Sequence, residues 1–384
     1  MFRIRKILDA AKQNNRRITV IFSAVIFLAG GILSLTGCSR AEAYEVTGFY
    51  FDTVISVDFY ESDQMNIKST EVEDGIKELC GYYEDLLSAT IETSEVSKIN
   101  KAGGKPVEVS DDTAFLLEKA LEVSKLTNGA YDPSIAPLSG LWNISEVCKT
   151  AGDLSEEERQ GLIPSDDEIA NALALVDYSK VSLKGNTVTL YDEDLRIDLG
   201  GIAKGYIADK LVEYLTDAGV EHALINLGGN VAAIGGKKDG EPYWIGLQKP
   251  FGNGGEAFLK LKDKDKAVVT SGPYERYFEA NNRIYHHILD VGTGKPVEND
   301  LYAVTIVGEE GVMSDALSTA CYCLGYEESL RLLDKLDGYE GIFIFDDYSY
   351  RTTEGFPAEY GLSIIDPKGS RTNHVDKNRP ESTK

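Results

Sequence analysis

The sequence is short of cysteine, histidine, tryptophan and basic side chains, with 5 Cys, 4 His, 2 Trp and 11 Pro in 384 residues. Five cysteines with no CxxC pair exclude a disulfide framework of the small secreted kind. Cys80 and Cys321 sit in apolar patterns and read as small buried hydrophobes, with a Cys80–Cys148 bridge left open. Eleven prolines and 37 Gly exclude a collagen-like or low-complexity chain. Lys and Arg number 39 against 63 Asp and Glu, a formal charge of -24. Gripping phosphate backbones takes Lys and Arg, so this balance speaks against nucleic acid as a partner. What is present is globular, because 42% apolar and 27% charged residues suffice for a buried core.

One long apolar run exists, Ile18 to Leu35, behind a start (residues 1–17) with six basic side chains and one acid. It ends at Leu35-Thr36-Gly37-Cys38, which resembles a bacterial lipobox, where the thiol is acylated and becomes the new N-terminus. An uncleaved anchor is the alternative, since a run of this length can just cross a bilayer. The preferred division is a lipoprotein signal peptide over 1–37 with lipidation at Cys38. Without 1–37 the chain has 33 Lys+Arg and 62 Asp+Glu, or -29. Such a surface is not drawn to anionic lipid, so a lipid anchor must hold it on the extracytoplasmic face of the cell membrane.

Residues 38–48 are expected to be a tether, 49–366 the working domain and 367–384 a polar, disordered tail. Phe49–Tyr60 alternates and is rich in β-branched and aromatic residues, which predicts a strand. Ile76, Leu79, Cys80, Tyr83 and Leu87 fall at helical spacing over 71–87. A second helix follows the cap residues Ser110-Asp111-Asp112 and stops at Gly129. Residues 150–168 read as an acidic surface loop. Further helices are expected near 203–215, 313–324 and 327–336, and strands near 180–191, 223–227, 231–248, 257–270, 302–307 and 341–346. This mixture lacks the βαβ rhythm of a doubly wound sheet. It reads as α+β, one compact unit with room for two subdomains.

Four stretches carry candidate chemistry. Asp315 and Thr319 are four apart on a predicted helix, so a carboxylate and a hydroxyl share one face. Both are hard oxygen ligands suited to Mg²⁺, although an Asp near a helix start is also an ordinary cap. In Asp198-Leu199-Gly200-Gly201-Ile202-Ala203-Lys204, a strand-like run passes through glycines into a helix. Glycines admit a close ligand, a helix start favours an anion, and Lys204 adds charge. A tight turn with an exposed Lys would look the same. His286 and His287 precede Asp290 and a Gly-rich turn. Histidine takes a proton near neutral pH, although a buried His at a strand end that bonds a backbone group would look the same, and no third nearby His or Cys supports zinc. In Gly129-Ala130-Tyr131-Asp132-Pro133 a ring able to stack on a planar heterocycle adjoins a carboxylate, or a core Tyr adjoins a turn Asp.

Together with FDT at Phe51–Thr53, SEVSKIN at Ser94–Asn100, INLGGN at Ile225–Asn230 and TSGPYER at Thr270–Arg276, these stretches resemble the ApbE family of flavin transferases. HILDVGTGKP at His287–Pro296 and SDALSTA at Ser314–Ala320 complete the set, in family order over roughly 49–346. The resemblance implies transfer of FMN from FAD to other proteins. It implies Mg²⁺ ligands at Asp315, Thr319 and the Gly201 backbone, and FAD contacts at Phe51, Thr90, Ala130, Tyr131, Asp132, Asp198, Lys204 and Leu289. His287 matches the histidine proposed as a base. The family often has Met where this chain has Phe51, and an aromatic residue where it has Thr90. In the implied reaction a Ser or Thr hydroxyl of an exported or membrane flavoprotein, a subunit of an electron-transfer complex, attacks the FMN phosphorus and AMP leaves. Two alternatives stand beside it: a lipoprotein that binds FAD without chemistry, and an Mg²⁺-dependent hydrolase splitting FAD into FMN and AMP.

Overall fold

The computed structural model describes residues 43–252 and 255–365. The signal peptide, Cys38 and the polar tail lie outside the described residues. Eight strands form one antiparallel sheet. Across it run Ala43–Tyr50, Thr53–Tyr60, Ala223–Leu227, Asn230–Ile234, Ala267–Ser271, Leu301–Gly308, Glu340–Phe345 and Tyr350–Thr352.

Both faces of this sheet are covered. Val304, Ile306 and Phe343 point into the larger core, together with Ile202 and Ile207 of the helix Gly200–Asp217 and Ala316 and Leu317 of the helix Gly311–Leu324. Their neighbours Ala303, Val307, Ile342 and Ile344 point the other way, onto Ile245, Leu247, Leu259 and Leu261 of a three-stranded sheet. A strand buried on both faces reads as a continuous apolar run rather than an alternating one, as Leu301–Gly308 does. A third cluster around Leu138, Trp142, Ile144, Ile169 and Phe278 closes a small lobe of short helices over the hairpin Tyr277–His286. The α+β class is confirmed in this layering.

Several expectations need correcting. Phe49–Tyr60 is not one strand. It spans a hairpin whose two-residue turn, Phe51-Asp52, sits in the left-handed region at φ 55° and 56°. Asn or Gly is the usual signal for such a turn, and neither is present. The first strand begins at Ala43, inside the stretch expected as tether, and pairs through Ala43↔Tyr60. Residues 150–168 are not a bare loop either. Ser155 and Ser165 each accept a hydrogen bond from the N–H three residues on, and Glu158 and Glu168 reach back, starting the short helices Glu156–Gln160 and Asp166–Leu173.

Candidate active site

The helix Gly311–Leu324 is the most enclosed part of the site, with eleven of its fourteen residues buried. Its first N–H groups are satisfied from outside. Asp209 accepts the Gly311 N–H at 2.7 Å and the Val312 N–H at 2.8 Å. Asp209 belongs to the helix Gly200–Asp217, so the two helices are pinned end to side. They also approach closely at Gly205, where a Cβ would stand 2.1 Å from the Gly311 carbonyl oxygen and 2.7 Å from the Asp315 Cβ. Only glycine fits.

That approach sets the geometry of the expected metal pair. Asp315 is 3% exposed, and its Oδ2 accepts the Gly205 N–H at 2.9 Å. One turn on, the Thr319 Oγ1 lies 3.1 Å from the Ser271 Oγ at the end of a central strand. A Cβ placed on Gly201 would lie 3.8 Å from the Thr319 Oγ1 and 3.3 Å from the Tyr131 ring. Among the described residues no Lys or Arg is within ion-pair distance of Asp315. A buried carboxylate, a hydroxyl and a backbone turn of glycines, with no cationic side chain on the acid, fit a hard divalent cation.

These residues line one cleft of about 610 Å³. Ala130, Tyr131, Asp132, Asp198, Gly201, Lys204, His287, Leu289, Asp315 and Thr319 all face it. Phe51 and Thr90 do not. The Phe51 N–H donates to Glu84 at 2.8 Å and its ring packs beside Tyr50, leaving Asp52 and Thr53 at the cleft wall. Thr90 is exposed and turned onto the Ser88 hydroxyl at 3.0 Å.

Local hydrogen bonds divide the other residues by task. Asp198 Oδ1 accepts the Gly200 N–H at 2.8 Å, and the Asp198 N–H donates to the Pro133 carbonyl at 2.8 Å, which ties the two glycine-bearing motifs together. Asp132 accepts from the Ser134 N–H and hydroxyl and from the Tyr178 N–H, so it shapes its own loop as well as facing the cleft. Burial raises the Tyr131 hydroxyl well above its ordinary value, with Asp315 and Asp198 adding to it. It stays a neutral wall. His286 is structural: its Nδ1 accepts the Ile288 N–H, so Nε2–H donates to the Val297 carbonyl at 2.9 Å. His287 Nδ1 faces the Arg276 carbonyl at 3.3 Å and must donate there, which leaves the Nε2 lone pair free to accept. Burial, then Arg276 and His286, push His287 down to about 3.

Sequence reasoning assigned no role to Ser271, Glu275, Arg276 or the turn Asn226–Asn230, all on the cleft. Enclosure raises the Glu275 carboxyl to about 7 against the pull of Lys204 and Arg276. Gly228 and Gly229 adopt φ 61° and 93°, and Asn226 Oδ1 holds the Gly229 N–H at 3.0 Å. The available signal was the polar end, Thr270-Ser271, of an otherwise apolar strand.

The family model described as "ApbE family" matches residues 51–343. This chain belongs to the ApbE family. Two relatives named FAD:protein FMN transferase are similar to it. The protein from Treponema pallidum (strain Nichols) is 33% identical over 345 residues, covering 85% of this chain and 91% of that one. The protein from Klebsiella pneumoniae (strain 342) is 36% identical over 292 residues, covering 74% and 87%. The ApbE protein from Thermotoga maritima superposes with a TM-score of 0.72 at 31% identity, covering 83% of this chain and 99% of that one. The flavin transferase ApbE from Vibrio cholerae does so with a TM-score of 0.71 at 25% identity, covering 82% and 98%.

Proposed function

We propose that this chain is an FAD:protein FMN transferase that uses Mg²⁺. The observation that carries the reading is the meeting of Asp315, Thr319 and Gly201 with Lys204 and Arg276 in one cleft. The first three fit the cation, and the other two attract phosphate. The Gly200–Asp217 helix presents its N-terminus to the same space, which also favours an anion.

In the reaction a Ser or Thr hydroxyl of the acceptor protein attacks the FMN phosphorus. A new phosphoester bond forms, the bond from that phosphorus to the bridging oxygen breaks, and AMP leaves with the oxygen. The hydroxyl proton passes to a base or water. A cation held by Asp315, Thr319 and the Gly201 carbonyl would neutralise charge growing on the diphosphate. Lys204 and Arg276 hold the phosphates in line. His287 is neutral at physiological pH, and its Nε2 accepts the hydrogen bond of the incoming hydroxyl. Phosphate beside Arg276 and Lys204 offsets two of the charges that depress His287, so substrate binding itself makes it a better base. Tyr131 and Leu289 supply flat and apolar wall for the flavin or adenine.

The acceptor is an exported or membrane-bound flavoprotein subunit of an electron-transfer complex. Lipid on Cys38 holds the enzyme beside it at the extracytoplasmic face. No helix among the described residues is long and apolar enough to cross a membrane.

Incubation with FAD, Mg²⁺ and a flavin-free acceptor is expected to add the mass of FMN, less water, to the acceptor and to release AMP. Asp315→Ala is expected to lower that rate at least about a hundredfold while keeping a cooperative thermal transition. Full activity in that variant sinks the cation assignment. Free FMN with AMP and an unlabelled acceptor points instead to hydrolysis.

A further inference from the structure

We propose that Ser271 is a positioning residue for the metal seat: it accepts the hydrogen bond of the Thr319 hydroxyl and so leaves that oxygen's lone pairs to a cation in the cleft. The inference rests on the Mg²⁺ reading above and adds to it a residue that acts through Thr319.

Ser271 closes the strand Ala267–Ser271 and pairs with Val304 of the central strand Leu301–Gly308. Paired residues share a face, so the Ser271 side chain points with Val304 toward the helix Gly311–Leu324. The residue before it alternates to the other face, where the Thr270 and Thr305 hydroxyls lie 2.8 Å apart. Pairing in the middle of the sheet thus fixes where the Ser271 hydroxyl stands. On the helix, Ser318 is fully buried, while Thr319 is half-buried and faces the cleft.

Three contacts between oxygens run in series here. The Ser318 Oγ lies 2.8 Å from the Asp315 carbonyl oxygen, the Ser271 Oγ lies 2.8 Å from the Ser318 Oγ, and the Ser271 Oγ lies 3.1 Å from the Thr319 Oγ1. Each contact needs one proton, and each of the three hydroxyls has one to give. The carbonyl has none, so Ser318 donates to Asp315. Ser271 then donates to Ser318, and Thr319 donates to Ser271. Any other order leaves at least one of these oxygen pairs in contact with no proton between them. The chain therefore runs one way, and its direction is set at the buried end.

That direction suits a cation. A neutral hydroxyl ligates through its lone pairs, so its proton has to point elsewhere. With Ser271 as acceptor, the Thr319 proton is drawn off toward the strand and the oxygen is left open to the cleft. Asp315 is held in a comparable way, because its Oδ2 accepts the Gly205 N–H from the neighbouring helix. Partners behind a metal's ligands orient them and tune how tightly the metal binds. Ser271 fills that place for Thr319.

The test is calorimetric titration of Mg²⁺ into the full-length chain with saturating FAD and no acceptor protein. Ser271→Ala removes the acceptor, and its Mg²⁺ affinity is expected to fall about 10–100-fold. Ser271→Thr keeps a hydroxyl at the strand end and is expected to restore most of that loss. Both variants are expected to keep the wild-type affinity for FAD measured in EDTA. An unchanged Mg²⁺ affinity in Ser271→Ala overturns the proposal, as does an equal loss in Ser271→Thr. A loss that appears instead in FAD affinity in EDTA makes Ser271 a substrate contact and overturns it too. If the wild-type chain itself takes up no Mg²⁺, the cation reading falls first and the role of Ser271 falls with it.

Discussion

Burial has set the two adjacent histidines to stay neutral. His286 is pushed down to about 4 by burial and His287 to about 3 by burial with Arg276 and His286. In an unfolded chain both titrate near 6.5. Their folded values are lower, so the unfolded state binds more protons below about pH 6.5. Their contribution to stability is present above that pH and is lost as pH falls toward 4 and then 3. Two buried carboxyls act the other way. Burial raises Asp209 to about 6 and Asp263 to about 7, so their contributions grow as pH falls from 7 toward 4. Removing one histidine separates the two trends. His286→Gln keeps a donor for the Val297 carbonyl, and its Tm is expected to fall less steeply than wild type between pH 6.5 and 4. A parallel acid limb in the variant refutes the assignment. Composition showed the histidine pair, and only the hydrogen bonds separate its members. Nothing in the order of residues says that one anchors a backbone and the other lends its lone pair to the cleft.

At the level of helices, two residues hold the site together without facing substrate. Asp209 caps the helix that carries Asp315 and Thr319, and Gly205 lets that helix approach. Gly205→Ala is expected to cost about 3 kcal/mol, because its new methyl meets backbone rather than a movable side chain. Asp209→Ala is expected to cost about 1–2 kcal/mol through the lost cap. Denaturant unfolding of both variants measures this, and a wild-type midpoint for Gly205→Ala sinks the close-approach argument. Helical spacing and the cap at Ser110 made most helices readable, since both are local signals. The strand Ala223–Leu227 also lies where β-branched and apolar residues predicted it. The first hairpin was not readable. Its alternation runs unbroken through Phe51-Asp52, and the turn is imposed by Glu84, more than thirty positions downstream. The short helices near 156 and 166 were hidden because their acids serve as caps, which composition alone reads as a loop.

For the whole chain, the α+β class was readable from the irregular mixture of elements, but the pairing of distant strands was not. Strand Thr53–Tyr60 pairs with Ala223–Leu227 across more than 160 residues, and no local pattern encodes that. Cleft residues from eight separated segments converge only because the sheet brings those turns to one end. Attachment also belongs to this scale. With so acidic a chain, electrostatic adsorption to lipid is weak, so Cys38→Ser is expected to move the protein from the membrane fraction to the soluble fraction, or to leave it unprocessed. Unchanged lipid labelling in that variant removes the anchor.

The seat of Asp315 and Thr319 on the helix Gly311–Leu324 has one more consequence. That helix is wedged among a second helix and two central strands, so no local fraying loosens it. Loss of that seat on heating and melting of the interior are then one event. On heating, the wild-type population then holds intact and unfolded molecules, with few that keep a core but have lost the pair.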